Sequence, residues 1–157
     1  ESLIKLSKLM RYLLYDSEEG KTTLGKEIEF IKSYVDLMKL RFTSNVAINL
    51  SFPESIPSIE MPPMLFTSLV ENAFKHGFYT NDSNSFISIT AKVENQILLF
   101  KVENSIQDQQ HFNQKERAGK GLENLKKRLE LSYPKTATYV FETKNNVYLA
   151  QLEIKLN

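Results

Sequence analysis

The chain contains no cysteine and only two histidines, His76 and His111. Without thiols there is no disulfide framework, no thiolate nucleophile and no cysteine-ligated metal, a composition that suits a reducing compartment. An excess of charge of one sign is also missing. Twenty basic against nineteen acidic residues leave +1, so the overall field recommends neither nucleic acid nor an anionic membrane surface as a direct partner. No apolar run approaches the roughly 20 residues of a membrane span, and no charged-then-apolar leader is present. Partners must therefore be argued from local sites. What remains is ordinary globular material: 157 residues, 41% hydrophobic and 25% charged, enough for one compact domain with a short appendage. The chain opens at Glu1 in mid-helical pattern, which reads as a piece of a longer protein.

Leu3, Leu6, Met10 and Leu13 recur at helical intervals, the seam of a helix that packs against a partner. After the turn-like Asp16-Ser17-Glu18-Glu19-Gly20, Thr23 can cap a second helix whose seam is Ile28, Ile31, Val35, Met38 and Phe42. Together these predict a helical hairpin over 1–43. Lys26 stands where a capping box would want Glu or Gln, so only the cap is supported. From Val46 the period changes to strict alternation through Phe52, a half-buried strand ended by Pro53 and Pro57. Pro62 and Pro63 suit the first turn of a helix that runs to about Phe78 and closes at Gly77. Two β-rich runs, 86–93 and 97–102, meet at Glu94-Asn95-Gln96, and two more, 139–143 and 147–156, meet at Asn145-Asn146. Between them, 105–118 is polar and reads as a mobile loop. Gly119-Lys120-Gly121 then leads into a helix carrying Leu122, Leu125, Leu129 and Leu131, ended near Pro134. The predicted body, 44–157, is an α/β layer of about five strands with helices on one face.

Two stretches carry candidate chemistry. In the helix ending at Gly77, a turn of about 100° per residue places Ser68, Asn72, Lys75 and His76 in one polar sector, with Leu69, Val70, Ala73 and Phe74 turned away. An asparagine carbonyl is a hard oxygen ligand suited to magnesium, and a lysine one turn on can meet phosphate oxygens. The same sector is equally the solvated face of an ordinary amphipathic helix. In Gly119-Lys120-Gly121-Leu122-Glu123-Asn124, glycines let backbone N–H groups approach an anion, and a helix N-terminus favours one. A hinge or simple cap would look the same.

Taken in order, Pro62-Pro63-Met64-Leu65 through Glu71-Asn72-Ala73-Phe74-Lys75-His76-Gly77 resembles the N box of LytS-like sensor histidine kinases, and Gly119 through Leu129 resembles their second glycine box. Leu6 to Tyr12 and Tyr34 to Phe42 resemble the helices that join the phosphoacceptor to the ATP-binding domain in that family. The resemblance implies an α+β fold: a helical dimerisation hairpin over 1–43, then a two-layer GHKL-type sandwich over 44–157 with a mixed sheet of about five strands. It implies ATP and magnesium as ligands, Asn72 as the metal ligand, Glu71, Asn72 and Lys75 as catalytic residues, and His76 near the phosphates. Gly119, Lys120, Gly121 and Leu122 would form the lid over the phosphates, with Asn124 and Arg128 on its nucleotide side. Related kinases carry an Asp that accepts a bond from the adenine amino group. Here Val102-Glu103-Asn104-Ser105-Ile106 places Asn104 there, without the glycines that follow in the family; an amide oxygen still accepts that bond, without a charge.

By the same resemblance the phosphoacceptor precedes Glu1, since His76 lies inside the N box and His111 in the polar loop. The implied partners are ATP and ADP, a second copy through the N-terminal helices, and a response regulator, a DNA-binding one. The implied setting is the cytoplasmic side of a bacterial sensor anchored in the inner membrane by upstream segments. Two other readings stay open. A hydrolase of the gyrase or MutL kind would place a glutamate base one turn before the metal asparagine, where this chain has Ser68, with Glu71 about 100° away round the helix. A nucleotide-free pseudokinase acting as a dimerisation module fits Asn104 and the missing glycines.

Overall fold

The computed structural model describes residues 4, 7, 10–12, 14, 20–41, 46–77, 85–106 and 120–156. They form two compact units, one of Glu1–Thr43 with Glu54–Thr67 and the other of Ser44–Pro53 with Ser68–Asn157.

In the first unit, Ile4, Ser7, Met10, Arg11, Tyr12 and Leu14 are helical. The short strand β1 (Thr22–Thr23) runs straight into helix α1 (Leu24–Arg41). Thr23 is the expected cap: its Oγ1 accepts from the Lys26 N–H at 3.4 Å. The predicted seam is buried at Ile28, Ile31 and Val35 and half-buried at Met38, and Leu24 extends it by one turn; Leu3, Leu6, Leu13 and Phe42 lie outside the described residues. β1 pairs antiparallel with β3 (Glu60–Met61), and the Leu24 N–H donates to the Ile59 carbonyl at 2.9 Å. These bonds hold the start of α1 beside the chain that follows β3.

That chain departs from expectation. The helix foreseen from Pro62 begins only at Thr67, because Met64 takes a φ of 58°, outside the helical region. Residues 63–66 are turns, and α2 is Thr67–His76.

The second unit is built on a five-stranded sheet in the order β2-β4-β5-β7-β6, with β2 (Ala47–Ser51), β4 (Phe86–Glu94), β5 (Ile97–Ser105), β6 (Ala137–Lys144) and β7 (Val147–Lys155). β2 lies parallel to β4, and every other pairing is antiparallel. Both hairpins turn on two consecutive positive φ values, Asn95 with Gln96 and Asn145 with Asn146, the backbone a type I′ turn requires. Alternation then sorts the faces. Ile87, Ile89, Ala91, Leu98, Phe100, Val102, Ala150, Leu152 and Ile154 are buried on one side, while Lys101 and Glu103 make a 3.0 Å ion pair on the other.

Helices α2 and α3 (Lys120–Ser132) cover the buried face, contributing Leu69, Val70, Ala73 and Phe74 from one and Leu122, Leu125 and Leu129 from the other. Each of the valine, leucine and phenylalanine side chains contributes roughly 1.5–3 kcal/mol by leaving water. At the edge, the Lys126 ammonium lies 5.3 Å from the Tyr139 ring centre and 5.7 Å from that of Phe141. The predicted two-layer arrangement, with about five strands and helices on one face, is what forms.

Candidate nucleotide site

The polar sector of α2 stays clear of the core. Ser68, Asn72 and His76 are half-buried, Glu71 and Lys75 are exposed, and the apolar residues between them are buried. Amphipathicity thus leaves Asn72 and Lys75 one turn apart at an accessible edge. The N-terminus of α3 lies against the same sector: a side chain added at Gly121 would meet the Ser68 Cβ at 3.6 Å. Asn124 and Arg128 fall on the Gly121 side of α3, within about 60° by the helical period. Lys120, Gly121 and Asn124 are exposed and Arg128 half-buried. Leu122 is buried with Leu125 and Leu129, so its side chain packs, and only its backbone could serve a ligand. Gly119 and His111 lie outside the described residues.

The far end of α2 meets the sheet. Gly77 keeps the helical bond, its N–H donating to the Ala73 carbonyl at 2.7 Å. A Cβ on it would stand 2.6 Å from the Ala73 oxygen, 3.1 Å from the Asn104 Cβ and 3.3 Å from the Ile87 Cγ1. Glycine is required here by close approach: a side chain would collide with the Ala73 carbonyl of α2's own last turn, and the Asn104 and Ile87 side chains would also have to give way. The contact also brings Asn104 to the end of the helix that carries Asn72 and Lys75.

The β5 register decides which residue of the Glu103-Asn104 pair turns inward. Asn104 stands opposite Ile87 on the helix-covered face and is 0% exposed. Glu103 points the other way, toward Lys101. The Asn104 Nδ2 donates to the Ser105 carbonyl at 3.0 Å, which orients the amide, and its Oδ1 is buried with no donor among the described residues. Ser105 in turn closes the β4 end by accepting from the Phe86 N–H at 3.0 Å. Two threonine hydroxyls, of Thr67 and Thr143, are also shielded from water without a partner among the described residues. A hydroxyl is a rotor that can turn its lone pairs; the Asn104 oxygen is held in place by its own amide bond. A buried oxygen left unmet costs about 1–3 kcal/mol, and a ligand amino group would relieve it.

Among the described residues no three His, Cys, Asp or Glu side chains gather to hold a metal. Asn72 supplies one neutral oxygen. That donor set suits magnesium arriving with phosphates and water rather than an ion caged by protein. Sequence reading passed over one charged residue entirely: Glu27, on the apolar side of α1, is 0% exposed and accepts hydrogen bonds from the Tyr12 hydroxyl and from the N–H groups of Met64 and Phe66. Its position three residues after Leu24 and four before Ile31, inside the apolar stripe, was the available signal.

Comparison with known proteins bears on the family and the fold. Residues 1–46 match the profile described as histidine kinase, and residues 63–155 match that described as GHKL domain. The chain is 30% identical over 151 residues to the sensor protein LytS of Staphylococcus haemolyticus, covering 90% of this chain and 26% of that protein. It therefore spans about a quarter of that relative's length. Among solved structures, the histidine kinase domain of the blue-light activated kinase from Erythrobacter litoralis superposes with a TM-score of 0.63 at 12% identity, covering 99% of this chain and 75% of that one. The histidine kinase ThkA, crystallised with the response regulator TrrA, gives 0.58 at 17% identity, covering 99% and 48%.

Proposed function

Because the chain belongs to the GHKL-domain family of sensor histidine kinases, we propose that it binds Mg-ATP between α2 and α3 and presents the γ-phosphoryl group to a histidine N-terminal to Glu1 in the longer protein. The observation that carries this is the buried Oδ1 of Asn104, which has no donor among the described residues, at the end of α2, the helix bearing Asn72 and Lys75. An acceptor oxygen on a dry face suits the amino group of adenine, and the exposed end of α2 suits the phosphates.

In this reading Asn72 ligates the metal and Lys75 meets phosphate oxygens as a point charge, with His76 and the exposed Glu71 beside them. When bound, magnesium neutralises charge on the phosphate oxygens and fixes their geometry. Lys120, Gly121 and the Leu122 backbone offer the N-terminal amides of α3, with Gly119 before them, and Asn124 and Arg128 line the adjoining stripe. Transfer to an external acceptor rather than to water fits Ser68, which stands on the Asn72 face where a hydrolase needs its base. His76 belongs to the site, and the acceptor is another histidine.

The intact protein acts as a dimer. Ile4, Met10 and Leu14 of the N-terminal helical segment are 63%, 48% and 54% exposed in the single chain, an apolar surface that a second copy would cover. A response regulator takes the phosphoryl group onward. No described helix is long and apolar enough to cross a membrane. In this reading the kinase core lies on the cytoplasmic side of a sensor anchored in the inner membrane.

The direct test is Asn72→Ala, read by calorimetry. The fold should persist, and Mg-ATP binding should weaken by about 2 kcal/mol or more. Unchanged affinity would remove Asn72 from the metal.

A further inference from the structure

The strand registers line up one row of residues across four strands of the second unit. Ile87 of β4 stands opposite Asn104 of β5, Asn104 opposite Tyr148 of β7, and Tyr148 opposite Thr143 of β6. Residues directly opposite in antiparallel strands share a face, so Asn104, Tyr148 and Thr143 lie side by side on the helix-covered side of the sheet. The next two rows on that face are Ile89, Val102, Ala150 and Phe141, then Ala91, Phe100, Leu152 and Tyr139, aliphatic or aromatic throughout. Polarity is thus gathered at one end of the sheet. It is the end that Gly77 approaches, and there the Ile106 N–H donates to the Asn146 carbonyl at 2.8 Å. Asn104 is fully buried, and Tyr148 and Thr143 are half-buried. Within this row two oxygens, Asn104 Oδ1 and Thr143 Oγ1, are shut off from water with no partner among the described residues.

Two unmet oxygens in one row are costly as core and useful as a pocket floor. Their chemistry differs. The Asn104 Nδ2 is already engaged by the Ser105 carbonyl, so the amide offers a ligand only an acceptor, whereas the Thr143 hydroxyl can donate. A base that carries an amino group beside a ring nitrogen presents the complement to both, an N–H for the asparagine oxygen and a lone pair for the hydroxyl. We propose that Thr143 is a second base-recognising residue: its hydroxyl donates to a ring nitrogen of adenine while Asn104 accepts from the amino group, with Tyr148 as the wall between them. Asn104 and Thr143 are two strand spacings apart, about 10 Å along the row, so they meet the base from opposite sides of Tyr148 instead of competing for one atom. The proposal rests on the nucleotide-binding reading above and deepens it. It supplies the base pocket with a second hydrogen bond where Asn104 brings no charge. Guanine, with a carbonyl in place of the amino group, gives the asparagine oxygen no donor.

The test pairs Thr143→Val, which keeps the branched shape on its strand and removes the hydroxyl, with Thr143→Ser, which keeps the hydroxyl. Calorimetry with Mg-ATP should find the valine variant about fivefold weaker than the unmodified chain and the serine variant within about twofold of it. Base analogues then identify the atom. In 1-deaza-ATP and 7-deaza-ATP a C–H replaces one of the ring nitrogens that flank the amino group. With one of the two, the unmodified chain should lose about fivefold and Thr143→Val should lose nothing more, because the bond is already gone. Without ligand, the urea midpoint of Thr143→Val should equal or exceed that of the unmodified chain, since an unmet oxygen has been removed. Unchanged Mg-ATP affinity in Thr143→Val, a serine variant as weak as the valine one, a valine penalty that is the same for ATP and both analogues, or a clear drop in the ligand-free urea midpoint would overturn the proposal, since each assigns the hydroxyl no bond to the base. Failure of the unmodified chain to bind Mg-ATP would overturn the nucleotide-binding reading and this contact with it, whereas binding that Thr143→Val leaves intact overturns the contact alone.

Discussion

Glu27 and Asn104 are both 0% exposed, and they differ in one respect. Glu27 is surrounded by donors from two other segments, whereas the Asn104 oxygen has none among the described residues. A buried polar group with its capacity met holds a fold together; one with capacity to spare costs stability and waits for a ligand. The two kinds of burial suggest opposite responses to substitution.

The largest effect should come from Glu27→Ala, which strands a phenol and two backbone N–H groups in a dry interior. A loss of about 3 kcal/mol or more is expected in the urea midpoint, and a loss below about 1 kcal/mol would mean that Glu27 is not structurally engaged. Next is Gly77→Ala, whose methyl group meets the Ala73 backbone oxygen of α2's own last turn, which cannot yield without distorting the end of that helix. About 2 kcal/mol of stability should go, with weaker ATP binding, because the Asn104 side chain is the next atom in its path.

Asn104 itself should invert the sign. Asn104→Leu removes an unmet acceptor at similar volume, so thermal unfolding should show stability unchanged or raised by up to about 1 kcal/mol while ATP affinity falls. Asn104→Asp should tighten ATP by about 1 kcal/mol and leave GTP as it was, since a charge-assisted bond replaces a neutral one. A loss of stability in Asn104→Leu matching that of Glu27→Ala would erase the contrast between the two sites.

The smallest effect lies at alkaline pH. Burial first, then the Glu27 charge and hydrogen bond, push the Tyr12 hydroxyl far above its ordinary 10.0. For an acid raised on folding, the stabilisation is complete below the unfolded value and is lost as pH climbs toward the folded one. Stability should therefore decline above about pH 10, and Tyr12→Phe should reduce that decline by about 1 kcal/mol or less, measured as the difference in urea midpoints between about pH 9 and about pH 11.

Legibility in the sequence followed the range of the forces involved. The β4–β5 and β6–β7 hairpins were readable because alternation and the Asn95, Asn145 and Asn146 turn residues act over a few positions. The Thr23 cap and the Asn72–Lys75 sector were readable for the same reason: one helical turn spans both. The start of α2 was misplaced by about one turn because Pro62 and Pro63 are good first-turn residues locally, and the φ that overrides them at Met64 is supported from α1, far away in the chain. The resemblance alone points to Asn104; the register against Ile87 supplies the physical reason, turning Asn104 inward and leaving Glu103 to pair with Lys101.

By itself, then, the sequence determined the α+β class, the two hairpins, the amphipathic helices and the polar face that carries Asn72, since each follows from side-chain spacing and short-range turn chemistry. Tertiary structure alone decided that β2 joins the sheet parallel to β4, that Gly77 is a point of close approach, that the Asn104 oxygen lacks a donor among the described residues, and that Glu27 is buried at all. Each of those depends on which distant segment arrives beside a residue, and hydrogen-bond capacity is met or left open only once that neighbour is in place.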